Sequence, residues 1–276
     1  MSPIAMEQEP GTYVLATGGA AAYRLRILHQ VYGAGSRRLL RLAGLGAGMR
    51  VADLGCGIGQ VTADLAELVG REGHVVGVDL SRAQLDEADE LIQERGLTNV
   101  TFVEASAAAT GLPAASFDLV YCRYLLIHLA EPDAALREMH RLLRPGGMLV
   151  CEDGDLTSAG SEPASALGLF AELFGALGPK RGVDYTLGRR LYQMIRAAGF
   201  ASPDIAFNQP AFARGDGKRL LELSVAEAGP AFVEAGLISA EALRDGVLAM
   251  RRLAGDETVL AIMPRMAQVC AAKLAA

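Results

Sequence analysis

Short apolar runs alternate with longer amphipathic segments through the middle of the chain. The apolar runs are rich in β-branched residues, as strands are, and lie at 51–54, 75–79, 100–104, 117–122 and 148–152. Segments with helical spacing of their apolar positions follow three of them, at 60–69, 82–95 and 132–143. This alternation predicts a parallel sheet with helices on both faces and right-handed crossovers.

The segments on either side of this alternation have a looser pattern. Residues 19–45 have helical spacing, and Gly33 and Gly35 predict a break between two helices. The C-terminal part has small helical segments at 156–184, an amphipathic helix at 187–198, a strand at 204–212 and helical spacing at 217–254.

Glycine and proline residues interrupt the helical and strand patterns in the last third of the chain. Gly229, Pro230 and Gly236 interrupt the helical pattern of residues 217–254. Apolar positions between 258 and 272 alternate as in a strand, but Pro264 interrupts them and a helix is the alternative. We expect a strand.

Composition narrows the class of protein. The 276 residues are 51% hydrophobic and 21% charged, which favours a folded core over disorder. A formal charge of −6 disfavours general binding of nucleic acid. No uncharged apolar run approaches the roughly 18 residues of a membrane span, and the N-terminal sequence MSPIAMEQEPGTY has no signal-peptide core. We expect a protein that acts on small molecules.

The cysteines give no sign of a metal site or a disulfide framework. Cys56, Cys122, Cys151 and Cys270 are far apart in sequence and form no CxxC pair. We therefore expect no bound metal and a reducing, cytoplasmic location.

A glycine-rich loop follows the first predicted strand. Residues 51–60 read VADLGCGIGQ, and glycines between a strand and a helix let the backbone approach a ligand closely. Asp79 ends the next predicted strand, 22 residues after Gly57. An acidic side chain at that place can accept both ribose hydroxyls of a nucleoside.

Two kinds of nucleoside fit such a loop. Dinucleotide enzymes use G-x-G-x-x-G, with the pyrophosphate on the helix N-terminus. Here Gln60 stands at the third glycine position, and Asp53 precedes the loop. A carboxylate at Asp53 suits the amino group and sulfonium of S-adenosylmethionine better than a pyrophosphate.

The order of these motifs resembles the class I S-adenosylmethionine-dependent methyltransferases of the small-molecule type. The resemblance covers about residues 10–155 and is thin afterwards. Its motifs are the glycine loop, the acidic strand end at 75–80, the stretch FVEASA at 102–107, the LP and SFD segments at 112–113 and 116–118, and the turn LLRPGG at 142–147.

The resemblance implies that S-adenosylmethionine is the cofactor and S-adenosylhomocysteine the product. The implied cofactor-binding residues are Tyr13, Asp53, Gly55, Gly57, Gln60, Asp79, Leu80, Ala105, Ser106, Ala107, Cys122 and Arg123. Relatives usually have Asp where Ser106 stands, so the backbone of residues 105–107 is expected to contribute more to adenine binding. Tyr13 either bonds the cofactor's carboxylate or packs the lid.

The resemblance also implies a fold. We expect a Rossmann-like α/β structure with a seven-stranded, mostly parallel sheet and helices on both faces. Residues 1–45 would form an N-terminal helical lid. Residues 46–276 would form one methyltransferase domain, with helical insertions over the substrate around 156–185 and 215–254.

The candidate catalytic residues are His128, Glu152 and Asp153, which follow or end predicted strands. Methyl transfer is an in-line displacement, so alignment supplies much of the acceleration and a base is needed only when the acceptor must lose a proton. His128 alternatively caps a helix or packs under the lid. The two carboxylates alternatively pair with Arg123, or join Asp155 at a divalent metal, although solvated or paired acids are the favoured interpretation.

The expected reaction is methyl transfer to a small, largely apolar metabolite, at oxygen, nitrogen or carbon, in secondary metabolism. The Asn-Pro-Pro-Tyr type of motif, which holds a planar amide or a base, is missing after the fourth strand, where the chain reads CRYL at 122–125. We expect no nucleic-acid or membrane partner, and a homodimer is an option. The alternatives are a protein of this fold that binds the cofactor without methylating, such as a pericyclase, or a nicotinamide-dependent oxidoreductase, which Gln60 and Asp53 disfavour.

Overall fold

The structure is a computed structural model that describes residues 19–274. Tyr13 lies outside the described residues. The helices are α1 Gly19–Leu42, α2 Gln60–Val69, α3 Arg82–Glu94, α4 Pro132–Leu142, α5 Leu169–Arg181, α6 Leu191–Ala197, α7 Leu220–Glu234 and α8 Ala240–Leu253. The strands are β1 Arg50–Leu54, β2 His74–Asp79, β3 Val100–Glu104, β4 Phe117–Arg123, β5 Leu143–Asp155, β6 Gly160–Glu162, β7 Ala201–Asn208, β8 Ala211–Phe212, β9 Leu260–Ile262 and β10 Arg265–Ala272.

Seven strands form the main sheet in the order β3-β2-β1-β4-β5-β10-β7. Strands β1 to β5 pair in parallel, whereas β10 runs antiparallel to both β5 and β7. This is the Rossmann-like, mostly parallel sheet that the sequence predicted. A second, small sheet has the order β6-β9-β8.

The central strands owe their continuous apolar runs to burial on both faces. Val51, Ala52 and Leu54 of β1 and Leu119 and Val120 of β4 are completely or almost completely buried. A parallel sheet covered by helices on both faces buries every residue of its inner strands. Each fully buried aliphatic side chain of this kind stabilises the fold by about 1.5–3 kcal/mol.

Helix α1 is continuous, so the predicted break at Gly33 and Gly35 is wrong. A Cβ at Gly33 would lie 2.9 Å from Cε1 of His29, and one at Gly35 would lie 2.2 Å from Nδ2 of Asn208. Because the two glycines have no side chains, His29 and Asn208 can pack closely against this part of the helix. This packing offsets the roughly 1 kcal/mol that a glycine costs in a helix interior.

The C-terminal part follows the predicted elements with shifted boundaries. Helix α7 runs through Gly229 and Pro230, so the interruption predicted there is wrong, whereas the one predicted at Gly236 is confirmed by a turn with a φ of +67°. A Cβ at Gly229 would lie 2.8 Å from Cδ2 of Leu243, so this glycine admits α8 against α7. The tail is a strand as expected, and Pro264 separates β9 from β10.

Helix α1 connects the N-terminal part of the chain to the C-terminal insertion. Arg24 Nε donates to Glu227 Oε2 of α7 at 2.8 Å, and both side chains are buried. The Arg219 guanidinium lies 5.6 Å from the ring centre of Tyr23, again between the insertion and α1. Two distant parts of the sequence thus pack together beside the sheet.

None of the helices in residues 19–274 is long and apolar enough to cross a membrane.

Candidate active site

A cavity of about 610 Å³ opens at the carboxyl ends of β1, β2, β3 and β4. Its walls come from the glycine loop after β1, the turns after β2, β3 and β4, helix α1, and the insertion helices α5 and α7. Ligands of open α/β sheets bind at this edge. The cavity is therefore where the sequence motifs meet.

The glycine loop forms one wall of the cavity with its backbone. Gly55, Gly57 and Gly59 have φ values of +70°, +55° and +72°, which residues with a side chain rarely adopt. A Cβ at Gly59 would also lie 2.9 Å from Cβ of Ala88. The loop is thus restricted to glycine both by its backbone conformation and by the close packing of α3.

Asp79 lies directly across from this loop. Its Oδ2 accepts a hydrogen bond from the N–H of Gly57 at 2.9 Å, and its Oδ1 accepts one from the N–H of Ser81 at 2.9 Å. The carboxylate is therefore fixed at the end of β2, and it lines the cavity. Its position fits the acceptor of two ribose hydroxyls that the sequence predicted.

Asp53 and Arg123, near the ends of the neighbouring strands β1 and β4, both line the cavity. Asp53 is 2% exposed and accepts a hydrogen bond from Thr62 Oγ1 at 2.6 Å. Burial raises the pKa of Asp53 to about 6, while Thr62 and the Arg123 charge act in the opposite direction. Arg123 Nη1 donates to Ser36 Oγ at 3.2 Å, and no carboxylate of residues 19–274 forms an ion pair with it. The pairing with Glu152 or Asp153 that was an alternative for Arg123 is therefore not formed.

The far end of this wall is formed by the turns after β2 and β3. Leu80, which is 73% exposed, lines the cavity together with Ala105, Ser106 and Ala107. Ser106 Oγ accepts a hydrogen bond from the N–H of Ala108 at 3.2 Å. The surfaces here are apolar or backbone, apart from the polar side chains of Ser81, Gln84 and Ser106.

Two other predicted cofactor residues lie in different environments. Gln60 lines the cavity at the start of α2. Cys122 does not line it, because the side chain is fully buried with its Sγ 3.2 Å from that of Cys151. The predicted contact of Cys122 with the cofactor is not supported by this position, and its two neighbours in β4, Tyr121 and Arg123, line the cavity instead.

His128 lines the cavity from a short 3₁₀ turn, Leu126–His128. Its ring packs edge-on against Tyr185, with ring centres 5.8 Å apart. Burial, with a contribution from the Arg24 charge, lowers the pKa of His128 to about 3. The imidazole is therefore neutral at physiological pH and offers one ring nitrogen as a donor and one as an acceptor.

Glu152 and Asp153 were expected at the cavity, but neither lines it. The reason is that β5 extends to Asp155, so both residues lie inside the sheet instead of beyond its end. Glu152 accepts hydrogen bonds from the Tyr121 hydroxyl at 2.5 Å and from Gln268 Nε2 at 2.6 Å. These contacts hold Glu152 in the interior of the fold, where its side chain is fully buried.

Asp153 supports the turn that carries His128. Its Oδ2 accepts hydrogen bonds from the N–H groups of Leu126 at 2.8 Å and Ile127 at 3.3 Å, and its Oδ1 accepts one from the N–H of Gly154 at 2.9 Å. Burial raises the pKa of Asp153 to about 7 in spite of these three bonds. Asp153 therefore holds the backbone of the turn that leads to His128.

The third acid of this group is also held by protein partners. Asp155 accepts hydrogen bonds from Arg189 Nε at 2.7 Å and Thr157 Oγ1 at 2.7 Å. Over residues 19–274, no group of three or more histidine, cysteine, aspartate or glutamate side chains is placed to hold a metal ion.

The other end of the cavity is apolar, and the sequence analysis did not identify the individual residues that line it. Phe170 and Phe174 of α5 lie 4.7 Å apart between ring centres and line the cavity with Leu156 and with Leu220 and Leu221 of α7. The only sequence signal was the helical, largely apolar character of these insertions. The four-residue spacing of the two phenylalanines is the feature that could have singled them out.

Tyr124 is another cavity residue that sequence reasoning missed. It has a φ of +51°, which is uncommon for a residue with a side chain. A Cβ at Gly154 would lie 2.4 Å from Cε1 of Tyr124, so the glycine in β5 makes room for this ring. Tyr124 and His128 both line the cavity.

Comparison with known proteins agrees with this arrangement. The family profile described as "Methyltransferase domain" matches residues 45–199. A ubiquinone/menaquinone biosynthesis C-methyltransferase, UbiE of Shewanella sp. (strain ANA-3), is 37% identical over 115 residues. That alignment covers 41% of this chain and 46% of the relative, so the chain spans less than half of the length of this relative.

Solved structures share the fold over most of the chain. A candidate methyltransferase from Bacillus halodurans C-125 has a TM-score of 0.60 at 19% identity, covering 86% of this chain and 97% of its own. The [4+2]-cyclase SpnF has a TM-score of 0.53 at 20% identity, covering 95% and 98%. The family profile spans more than half of the 276 residues. With its glycine loop, its fixed Asp79 and its seven-stranded sheet, the chain belongs to the class I S-adenosylmethionine-dependent methyltransferase family.

Proposed function

We propose that this protein transfers a methyl group from S-adenosylmethionine to a small, largely apolar organic molecule. The observation that carries the proposal is that a single cavity has a polar end beside Asp79 and the glycine loop and an apolar end beside Phe170 and Phe174. A cofactor and an apolar acceptor can therefore lie in one cavity. When bound, the cofactor supplies an electrophilic methyl group on its sulfonium.

The polar end offers a partner for each part of the cofactor. Asp79 would accept the ribose hydroxyls, and the turn at 105–107 with Leu80 would hold the base. Asp53 suits the ammonium group, whereas the Arg123 guanidinium, which has no carboxylate partner among the described residues, suits the carboxylate. Gly55, Gly57 and Gln60 would bring backbone and amide groups against the homocysteine chain.

His128 would act on the acceptor. Its neutral ring lies in the cavity wall and can accept a hydrogen bond from a hydroxyl or amino group of the acceptor. That bond aligns the acceptor atom with the methyl group, and alignment in a water-poor site is the main requirement of an in-line displacement.

The insertion helices α5 and α7 would determine which acceptor molecules can bind. The similarity to ubiquinone/menaquinone C-methyltransferases covers 41% of the chain and favours methyl transfer as the reaction. The side chains of α5 and α7 face the cavity with leucine and phenylalanine, which suits an apolar molecule.

We further propose one domain over residues 46–276 with a lid over 1–45, a cytoplasmic location, a role in secondary metabolism, no nucleic-acid or membrane partner, and a homodimer.

The test is the formation of S-adenosylhomocysteine. The protein is incubated with methyl-labelled S-adenosylmethionine and a panel of apolar metabolites that carry hydroxyl, amino or activated carbon groups. Transfer of label to an acceptor, with an equal amount of S-adenosylhomocysteine, supports the proposal. Tight cofactor binding with no transfer to any acceptor, but with rearrangement of one of them, contradicts it and favours a cyclase-like role such as that of SpnF.

A further inference from the structure

Arg24 is the charged side chain of the apolar end of the cavity, in the part of the chain that the structure describes. It belongs to this end because it bonds to α7, whose residues Leu220, Leu221 and Ser224 line the same wall. The other charged side chains of the wall lie at or near the ends of β1, β2 and β4, and they are Asp53, Asp79 and Arg123. Arg24 therefore decides which charge the apolar end presents to a ligand.

The charge of Arg24 is compensated inside the protein. Its Nε donates to Oε2 of Glu227 at 2.8 Å, and the two side chains are only 4% and 6% exposed. At this distance the two opposite charges largely cancel for any group outside the pair. Glu227 itself does not line the cavity, so it acts on a ligand through Arg24.

The groups around this pair add no charge of their own. Burial, with a contribution from Arg24, lowers the pKa of His128 to about 3, so its ring is neutral at physiological pH. Ser224 Oγ donates to the carbonyl oxygen of Leu220 at 2.8 Å. The apolar side chains of this wall are buried, and they include Leu156, Phe170 and Phe174. An ion that enters would lose its hydration and find the charge of Arg24 already paired, which is unfavourable.

We propose that the apolar end of the cavity selects uncharged ligands, and that the ion pair of Arg24 and Glu227 sets this specificity. The inference rests on the proposed function in taking the ligand of this end to be the methyl acceptor. The acceptor then binds as a neutral molecule, such as a phenol, an alcohol or a neutral carbonyl compound. Carboxylates and alkylammonium ions of the same shape are excluded.

The experiment is equilibrium dialysis of the full chain, near neutral pH, with three ligands of one shape. 2-Naphthamide is neutral, 2-naphthoate is an anion and 2-naphthamidinium is a cation, and saturating S-adenosylhomocysteine keeps them from the polar end. We expect the amide to bind and both ions to bind more than about tenfold more weakly, because an unpaired ion is costly to desolvate. Failure of the amide to bind, or an ion that binds within about tenfold of it, overturns the inference.

Two substitutions assign the selectivity to the pair. Glu227→Gln leaves the Arg24 guanidinium without its carboxylate, so the affinity for 2-naphthoate relative to the amide should rise by more than about tenfold. Arg24→Gln leaves the Glu227 carboxylate alone and should raise the relative affinity for 2-naphthamidinium in the same way. The double variant, which again has no net charge at the pair, should restore the preference for the amide.

Glu234→Gln removes the same charge at the exposed end of α7 and is the matched control, with wild-type ratios expected. Unchanged ratios in a folded Glu227→Gln or Arg24→Gln protein, or an equal shift in Glu234→Gln, overturn the role of the pair. If S-adenosylhomocysteine does not bind, the proposed function fails, whereas the opposite shifts of the two single variants still report on the apolar end. The two failures are therefore distinguishable.

Discussion

The polar residues of the cavity are held in place by hydrogen bonds within the protein. The carboxylate of Asp79 is fixed by two N–H groups, and that of Asp153 by three. Groups that are already oriented lose little freedom when a ligand binds, and this favours both affinity and alignment. The predictions at the residue scale concern what happens when one such contact is removed.

Asp153 is predicted to act through the turn that it supports. Asp153→Ala leaves three N–H groups without their acceptor, so the free energy of unfolding should fall by about 1–3 kcal/mol or more. Turnover should fall because His128 moves, while the KM for S-adenosylmethionine changes little. Urea unfolding and steady-state kinetics measure both effects. The exposed Asp204→Ala is the control, and wild-type turnover in a folded Asp153→Ala protein would contradict the positioning role.

His128 is predicted to make stability depend on pH. Its pKa is about 3 in the folded protein and near 6.5 when unfolded, so the unfolded chain binds the extra proton between these values. The stabilisation is complete above pH 6.5 and is lost as the pH falls. Between pH 7.5 and 5 the wild type should therefore lose about 2 kcal/mol that His128→Asn does not lose.

Urea denaturation at several pH values measures this difference. Other buried groups, such as Asp53 and Asp153, also titrate in this range, and the comparison of wild type with variant removes their contribution. His74→Asn, at a partly exposed site, should keep most of the wild-type dependence. Parallel curves for the wild type and His128→Asn would show that the ring is not held neutral by burial.

At the scale of elements, a buried ion pair joins α1 to α7, and its arginine lines the cavity. The buried pair of Arg24 and Glu227 joins two helices that are distant in sequence, since the two residues are 203 positions apart. Removing one member of a buried ion pair is strongly destabilising. The two helices are therefore expected to loosen together.

Glu227→Gln should destabilise the protein by about 3 kcal/mol, because the buried guanidinium of Arg24 loses a charged partner. Amide hydrogen exchange should become faster in α1 and α7 and stay unchanged in the central strands. Glu234→Gln, at the exposed end of α7, is the matched control. Unchanged exchange in α1 would mean that the pair does not hold the two helices together.

The elements also show where sequence reasoning works. The runs at 51–54 and 75–79 identified β1 and β2 because inner parallel strands are apolar throughout. The break predicted in α1 was wrong because Gly33 and Gly35 serve packing against His29 and Asn208, contacts that depend on the folded structure. The acids of β5 were misplaced because the strand is longer than its apolar run.

At the scale of the whole molecule, the sequence predicts the cofactor-binding half of the cavity but not the half that would bind the acceptor. Binding of a common cofactor uses local motifs, so Asp79 and the glycine loop were found from sequence. The acceptor end is built from Leu156, Phe170 and Leu221, which are far apart in the chain and meet only in the fold. Their residue types also match ordinary core positions, so no local pattern marks them.

The central claim is that S-adenosylmethionine binds with its ribose on Asp79, and calorimetry with S-adenosylhomocysteine tests it most directly. The wild type should bind in the micromolar range, and Asp79→Ala should bind more weakly by about 1–3 kcal/mol through lost ribose hydrogen bonds. Asp86→Ala, an exposed carboxylate on α3, should bind like the wild type. Equal affinity of the wild type and a folded Asp79→Ala protein, or no binding by the wild type, would contradict the account.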